Sequence, residues 1–205
     1  MKLKKFANRY KTFMRNLIII SAPSGSGKTT ICKEIQKKDP QIKFSISHTS
    51  RSMRSNEEDG VDYFFIDHLK FQNFISNDYF IEWEKIHGDY YYGTSKNQIE
   101  DAINNNIFLL LELDVKGAVS IQKKYPENTL SFFVEPPSIN DLKSRLKNRG
   151  SESIEKINKR LERIESEFSY KSFFDFIIVN DKVEKATNKI LNIIYKETKG
   201  VFNVS

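Results

Sequence analysis

Cysteine is almost missing from this sequence: Cys32 stands alone among 205 residues. One thiol excludes a disulfide framework and any zinc site built on cysteine pairs, and the three histidines are scattered, not grouped at ligand spacing. Such usage fits a reducing, cytoplasmic setting. Long apolar runs are missing too, since the longest, residues 17–22 and 107–111, fall far short of the ~20 that a membrane helix needs. No segment repeats, which excludes a solenoid. Arginine is scarce, with 8 among 33 basic residues, so an arginine in the body is more informative than usual. Arg163 nonetheless reads as part of a solvated charged helix.

A charge excess is also missing from most of the chain. The formal net charge is +6, yet residues 1–15 hold Lys2, Lys4, Lys5, Arg9, Lys11 and Arg15 and no acid. From Asn16 onward bases and acids balance at 27 each, so neither a nucleic-acid nor a membrane partner is expected of the body. In the basic end Leu3, Phe6, Tyr10 and Phe13 recur at helical spacing, the pattern of a surface or targeting helix. A plainer expectation is that synthesis starts at Met14, which would remove five bases and leave +1.

What is present suits one domain with inserted parts. The chain is 39% hydrophobic, with 16 Phe and 24 Ile, enough for a buried core. Residues 17–22, 107–113, 129–134 and 176–179 read as buried strands. Helices are expected over 28–38, where Ile31, Cys32 and Ile35 share a face, and after 179, where Ala186, Ile190, Ile193 and Ile194 do. That alternation predicts a parallel sheet with helices on both faces. Residues 44–95 break the rhythm with aromatics and short alternating runs, and predict a small, mostly β insert. Residues 138–170 are charged and helical, with Ile154, Ile157, Leu161, Ile164 and Phe168 on a narrow seam.

Between the first strand and first helix lies Ala22-Pro23-Ser24-Gly25-Ser26-Gly27-Lys28-Thr29, followed by Thr30. It matches the phosphate-binding loop at its Gly-Lys-Thr end and departs at Ala22, where the pattern has glycine. Backbone N–H groups of such a turn and of the helix start converge on a polyphosphate. Lys28 would reach its terminal oxygens, and the Thr29 hydroxyl would meet Mg²⁺.

Further motifs follow in order. They are Ser47-His48-Thr49-Ser50-Arg51-Ser52-Met53-Arg54, then Glu57, Gly60 and Asp62-Tyr63. Next come Phe80-Ile81-Glu82-Trp83, His87-Gly88 and Tyr92-Gly93-Thr94. Pro136-Pro137-Ser138, Arg145, Arg149-Gly150, Asn158-Lys159-Arg160 and Val179-Asn180-Asp181 complete the set. Together with the loop, these resemble the guanylate kinases over residues 16–196.

The resemblance implies a three-layer α/β fold of the P-loop NTPase class with a parallel central sheet. Its core would comprise 16–43, 96–137 and 171–205, with a GMP-binding insert at 44–95, a helical lid at 138–170 and 1–15 as an extension. The implied reaction moves the γ-phosphoryl group of ATP to GMP, or dGMP, with Mg²⁺ as cofactor. ATP would be held by Ala22 to Thr30, Arg149 and Asn180; Lys28, Arg145, Arg149 and Arg160 would neutralise the transferring group. Arg51 and Arg54, with Glu57 and a tyrosine hydroxyl from Tyr63, would hold the GMP phosphate. Glu82 would read the guanine N1–H and 2-amino group, with Ser47 and Thr94 donating to O6 and Asp114 nearby. Asp114 would also approach Mg²⁺ through water or cap the following helix.

Two departures stand out. The segment Gly88-Asp89-Tyr90-Tyr91-Tyr92-Gly93 is one residue longer than the family's, so Tyr91 competes with Tyr92 for the phosphate; Tyr92, directly before Gly93, is preferred. Glu112 replaces the usual Asp. On the residues alone Glu82 is indistinguishable from Glu84, which would be an exposed strand residue, and Arg51 would be free to pair with Glu57 or Glu58. Two other functions share the loop: a kinase of another phosphorylated ribose such as ribose 1,5-bisphosphate, and a non-catalytic guanylate-kinase-like domain binding phosphopeptides. The first would not need Glu82 and Thr94; the second would not need Lys28 and Thr29.

Overall fold

Three consecutive isoleucines leave the first strand no polar face, and all five of its residues are buried. The computed structural model describes residues 14–86, 89–138, 140–142 and 164–198. In chain order its elements begin β1 (Leu17–Ser21), α1 (Lys28–Lys38), β2 (Lys43–Phe44), β3 (His48–Thr49), β4 (Phe64–Phe65) and α2 (His68–Ser76). Then come β5 (Phe80–Ile86), β6 (Tyr90–Ser95), α3 (Lys96–Asn104), β7 (Leu109–Leu113) and α4 (Val115–Lys124). Last are β8 (Thr129–Glu135), β9 (Phe176–Val179) and α5 (Val183–Glu197).

Five strands run parallel in the order β2-β7-β1-β8-β9. Side chains of β1 alternate between two cores. Ile18 and Ile20 meet Ile31 and Ile35 of α1 and Ile190 and Ile194 of α5. Leu17 and Ile19 meet Ile99 and Ala102 of α3 and Ala118 and Ile121 of α4. Each fully buried isoleucine contributes about 2 kcal/mol against the entropy of ordering the chain. The three-layer α/β arrangement is the one the sequence predicts. Among the described residues no helix is long and apolar enough to cross a membrane.

The insert is a second sheet, ordered β4-β3-β6-β5. It also carries α2, which the alternating pattern did not predict. Phe71 of α2 is fully buried and stacks on Phe80 and Tyr91, with ring centroids 4.5 and 5.3 Å apart. Phe44 pairs with Leu110 in the core sheet, and the Ser45 N–H donates to the Leu110 carbonyl. Met14 packs on the core, and Arg15 reaches Thr129 and Asp175, so both belong to the body. Of the expected lid, the ends are described: Leu142 and Ile164 pack together with Phe168. Ile154, Ile157 and Leu161 lie outside the described residues.

Candidate active site

Strands β1 and β7 both end at one crevice, the place where open parallel sheets bind ligands. The turn leaving β1 depends on glycine. Gly25 and Gly27 have φ of 90° and 91°, and a Cβ on Gly27 would stand 2.5 Å from Nδ2 of Asn180. Asn180 is buried against this turn, and its amide donates to the Ser26 carbonyl at 2.8 Å. That contact braces the loop. Gly27 gives α1 no side-chain cap, so the first N–H groups of the helix are left for an anion.

Lys28 and Thr29 start the helix. The Lys28 ammonium donates to the Leu113 carbonyl at 2.9 Å, and the Thr29 hydroxyl donates to Glu112 at 2.5 Å. The unusual residue of β7 therefore sits on the hydroxyl expected to meet the metal. Ser24 N–H donates to Glu167 at 3.1 Å, from the helical stretch at 164–168. Glu167 was not singled out from the sequence, where it is one acid among many in a charged helix.

A cavity of about 750 Å³ runs from this loop to the insert. On the insert side, Arg51 meets Glu57 with two bonds, Nη1 to Oε2 at 2.7 Å and Nη2 to Oε1 at 2.8 Å. Its Nε donates to the Tyr92 hydroxyl at 3.1 Å. The fork holds the Glu57 carboxyl down to about 2 and raises the guanidinium in turn. The pairing weighed for Arg51 is thus formed, and a phosphate must share or displace it. Arg54 stays largely exposed, 4.0 Å from Glu57. Tyr63 lies beside the Arg51 guanidinium, 5.4 Å from ring centroid to Cζ. Burial pushes its hydroxyl up to about 12, so it remains a donor. Tyr92 lines the cavity, whereas Tyr91 stacks on Phe71.

At the far wall the Thr94 hydroxyl donates to Glu82 at 2.5 Å. Burial pushes the Glu82 carboxyl up to about 7, with the Thr94 bond opposing and the Asp114 charge adding to it. Room for this carboxylate exists because residue 117 is glycine: a Cβ there would lie 2.7 Å from Glu82 Oε2. Asp114 caps α4, accepting from the N–H groups of Lys116 and Gly117, both at 2.8 Å. Burial works against its charge, yet hydrogen bonds from Glu84 and from the helix start, with Lys28, hold its carboxyl below the usual range. Glu84 corrects the sequence expectation. It faces the cavity beside Glu82, its side chain only 23% exposed, because residues two apart on a strand share a face. Ser47 lines the cavity as well. Arg145, Arg149 and Arg160 lie outside the described residues.

A family model described as guanylate kinase matches residues 14–197. The guanylate kinase of Carboxydothermus hydrogenoformans is 41% identical over 181 residues, covering 88% of both chains. That of Bacteroides thetaiotaomicron is 42% identical over 184 residues, covering 90% of both. Among solved structures, guanylate kinase from Anaplasma phagocytophilum superposes with a TM-score of 0.74 at 27% identity, covering 91% of this chain and 87% of that one.

Proposed function

The chain belongs to the guanylate kinase family, and on that footing we infer how its residues divide the work. It is an ATP:GMP phosphotransferase, forming ADP and GDP. The phosphate loop, from Ala22 to Thr30, takes the triphosphate, with Lys28 leaving the Leu113 carbonyl for the terminal phosphate oxygens. Asn180 supports ATP binding by bracing the loop at Ser26.

Arg51, Tyr63 and Tyr92 take the GMP phosphate, and Glu57 keeps the Arg51 fork aligned until that dianion arrives. Arg54, exposed beside them, adds charge from solvent. Glu82 accepts from guanine N1–H and the 2-amino group, with Asp114 alongside. Adenine lacks both donors and would leave the buried carboxylate unpaired, a stronger rejection than shape alone supplies. O6 is assigned to Ser47, because the Thr94 hydroxyl is engaged on Glu82.

The hydroxyl of Thr29 and the Glu112 carboxylate are hard oxygen donors at the loop's end, with Asp114 at the end of the same strand. They suit Mg²⁺ held jointly with a triphosphate. When bound, the ion neutralises charge on the phosphate oxygens. The attacking GMP phosphate oxygen is already ionised at neutral pH, so no side chain need remove a proton. Catalysis reduces to positioning and charge, to which the family resemblance adds Arg145, Arg149 and Arg160.

The reading rests on one juxtaposition: a buried carboxylate held by Thr94 shares a cavity with the phosphate loop. ADP formation measured with GMP, dGMP, AMP and UMP tests it. Lys28→Ala should lose at least about a hundredfold in turnover with its fold intact. Glu82→Gln should lose at least about a hundredfold in kcat/KM with GMP and discriminate less against AMP. Full turnover in the first variant, or an unchanged GMP preference in the second, would overturn the assignment.

A further inference from the structure

Gln98, in the first turn of α3, spends its whole side-chain amide near one point of the chain. Its Oε1 accepts from the Ile46 N–H at 3.0 Å and from the Ser45 hydroxyl at 3.1 Å. Its Nε2 donates to the Ile46 carbonyl at 2.9 Å and to the Ser95 hydroxyl at 3.2 Å. A primary amide has two donor hydrogens and an oxygen with two lone pairs, so its full capacity is used. Reversing the amide would set donor against donor at Ile46, which fixes its orientation.

The chain crosses between core and insert twice. At the first crossing the Ser45 N–H still bonds to Leu110 of β7, while the Ser47 carbonyl already accepts from Phe64 of β4. Ile46 lies between the two sheets, and both its backbone groups pair with Gln98. At the second crossing β6 ends at Ser95, which caps α3. That helix is fastened to the core by Ile99 and Ala102. The spacing Ser95-Lys96-Asn97-Gln98 is that of a capping box, in which the fourth side chain folds back on its own helix start. Here it also reaches across to the other crossing. One side chain ties both hinges to each other and to the core.

We propose that Gln98 is a positioning residue for the acceptor nucleotide. It sets the angle at which the insert faces the phosphate loop. Ser47 follows Ile46 directly and Thr94, which holds Glu82, precedes Ser95, so two residues of the base site are each one step from a clamped position. Without the clamp, the Ile46 N–H and carbonyl turn to water and the insert gains freedom about residue 46. A shift of about 1 Å between the two phosphates costs up to about a hundredfold in transfer. The inference rests on the insert being the GMP side.

Gln98→Met keeps the length and loses all four hydrogen bonds, whereas Gln98→Glu keeps the two acceptor contacts and loses the two donations. In the Met variant kcat/KM for GMP should fall about tenfold or more, while the dissociation constant of ATP alone stays within about twofold. The Glu variant should fall between it and the wild type. Amide exchange at Ile46 should quicken by about tenfold or more in the Met variant. Unchanged GMP kinetics, or equal weakening of ATP and GMP, would overturn the proposal whatever the melting temperature does. Should the Met variant not fold, the Glu variant's kinetics and Ile46 exchange decide by the same criteria. Wild-type GMP preference over AMP is measured alongside: its absence would sink the GMP reading, while the Ile46 exchange still judges the clamp.

Discussion

At neutral pH a carboxyl that titrates near 7 is half ionised, and Glu82 is such a group. Its folded value lies above the unfolded 4.5, so the stability it contributes is full below about 4.5 and is lost as pH rises through about 7. At pH 8 the ionised side chain costs the ligand-free fold up to about 3 kcal/mol. Glu82→Gln should therefore have a higher urea midpoint than the wild type at pH 8 and lose that advantage at pH 5. Guanine needs the ionised form, so the GMP dissociation constant should rise as pH falls below 7, approaching about tenfold per unit. GMP binding at pH 7 should release part of a proton, seen as a calorimetric heat that depends on the buffer. Gly117 sets up a related test. A methyl group there would meet Glu82 Oε2 at 2.7 Å, the far end of a side chain that can move aside. Gly117→Ala should leave stability within about 1 kcal/mol, helped by helix propensity, yet raise KM for GMP several-fold. A fall in stability with KM unchanged would show that the backbone moves instead. Neither Gly117 nor Glu84 is legible in the sequence as a pocket residue. The contact between Gly117 and Glu82 joins a helix to a strand more than thirty positions away, and no local pattern encodes it.

The insert shows how an element made of rings responds to acid. His48 of β3 is enclosed by Phe64, Phe74, Tyr79 and Phe80, with centroids 4.8 to 5.8 Å from its own. Its Nδ1 is buried, with no hydrogen-bond partner among the described residues. Burial pulls its pKa from 6.5 to about 4, the charge of Lys70 adds to this, and Asp59 opposes it. Because the folded value is the lower, this contribution is full above about 6.5 and is lost as pH falls towards 4. The loss amounts to about 2 kcal/mol, enough to loosen a sheet of short strands. The single tryptophan, Trp83, stands on β5 of this insert and reports on it directly. Its urea midpoint should fall between pH 6.5 and 4.5 in the wild type and fall less in His48→Phe; equal slopes would exclude the histidine as the cause. Element by element, legibility follows the number of periods a segment offers. Helix α1 is predicted to the residue, since its 11 residues make about three turns with Ile31, Cys32 and Ile35 on one face. Helix α2 has nine residues and one buried side chain, Phe71, so its period is barely sampled.

Across the whole molecule the strands divide stability from chemistry. The nucleotide cavity lies where β1 and β7 end, and Arg15 lies where β1 and β8 begin. Its Nε donates to the Thr129 carbonyl at 2.7 Å, and its guanidinium meets Asp175 at 2.8 Å and Glu197 at 3.8 Å. One side chain thus joins the start of β8, the residue before β9 and the last residue of α5. Asp175 also accepts from both the N–H and the hydroxyl of Ser131, so its position is fixed independently. In the sequence Arg15 is the last base of a basic run and counts with the appendage. Only the fold reveals that it belongs to the body, because its partners lie more than a hundred positions away. The scarcity of arginine was the one available signal, and it points equally to phosphates and to structure. The groups are about one-third exposed, so the ion pairs themselves are worth little and the bond to Thr129 carries much of the effect. Arg15→Ala should lower stability by about 1–2 kcal/mol, as a shift in urea midpoint with unchanged slope. Arg15→Lys should recover little, since one ammonium cannot serve the carbonyl and two carboxylates in that fan. Turnover with GMP at 25 °C should be unaffected in both, because the strands between them and the cavity are buried and rigid. A loss of turnover without a loss of stability would mean that the start of the sheet is coupled to the site at its end, and the division would not hold.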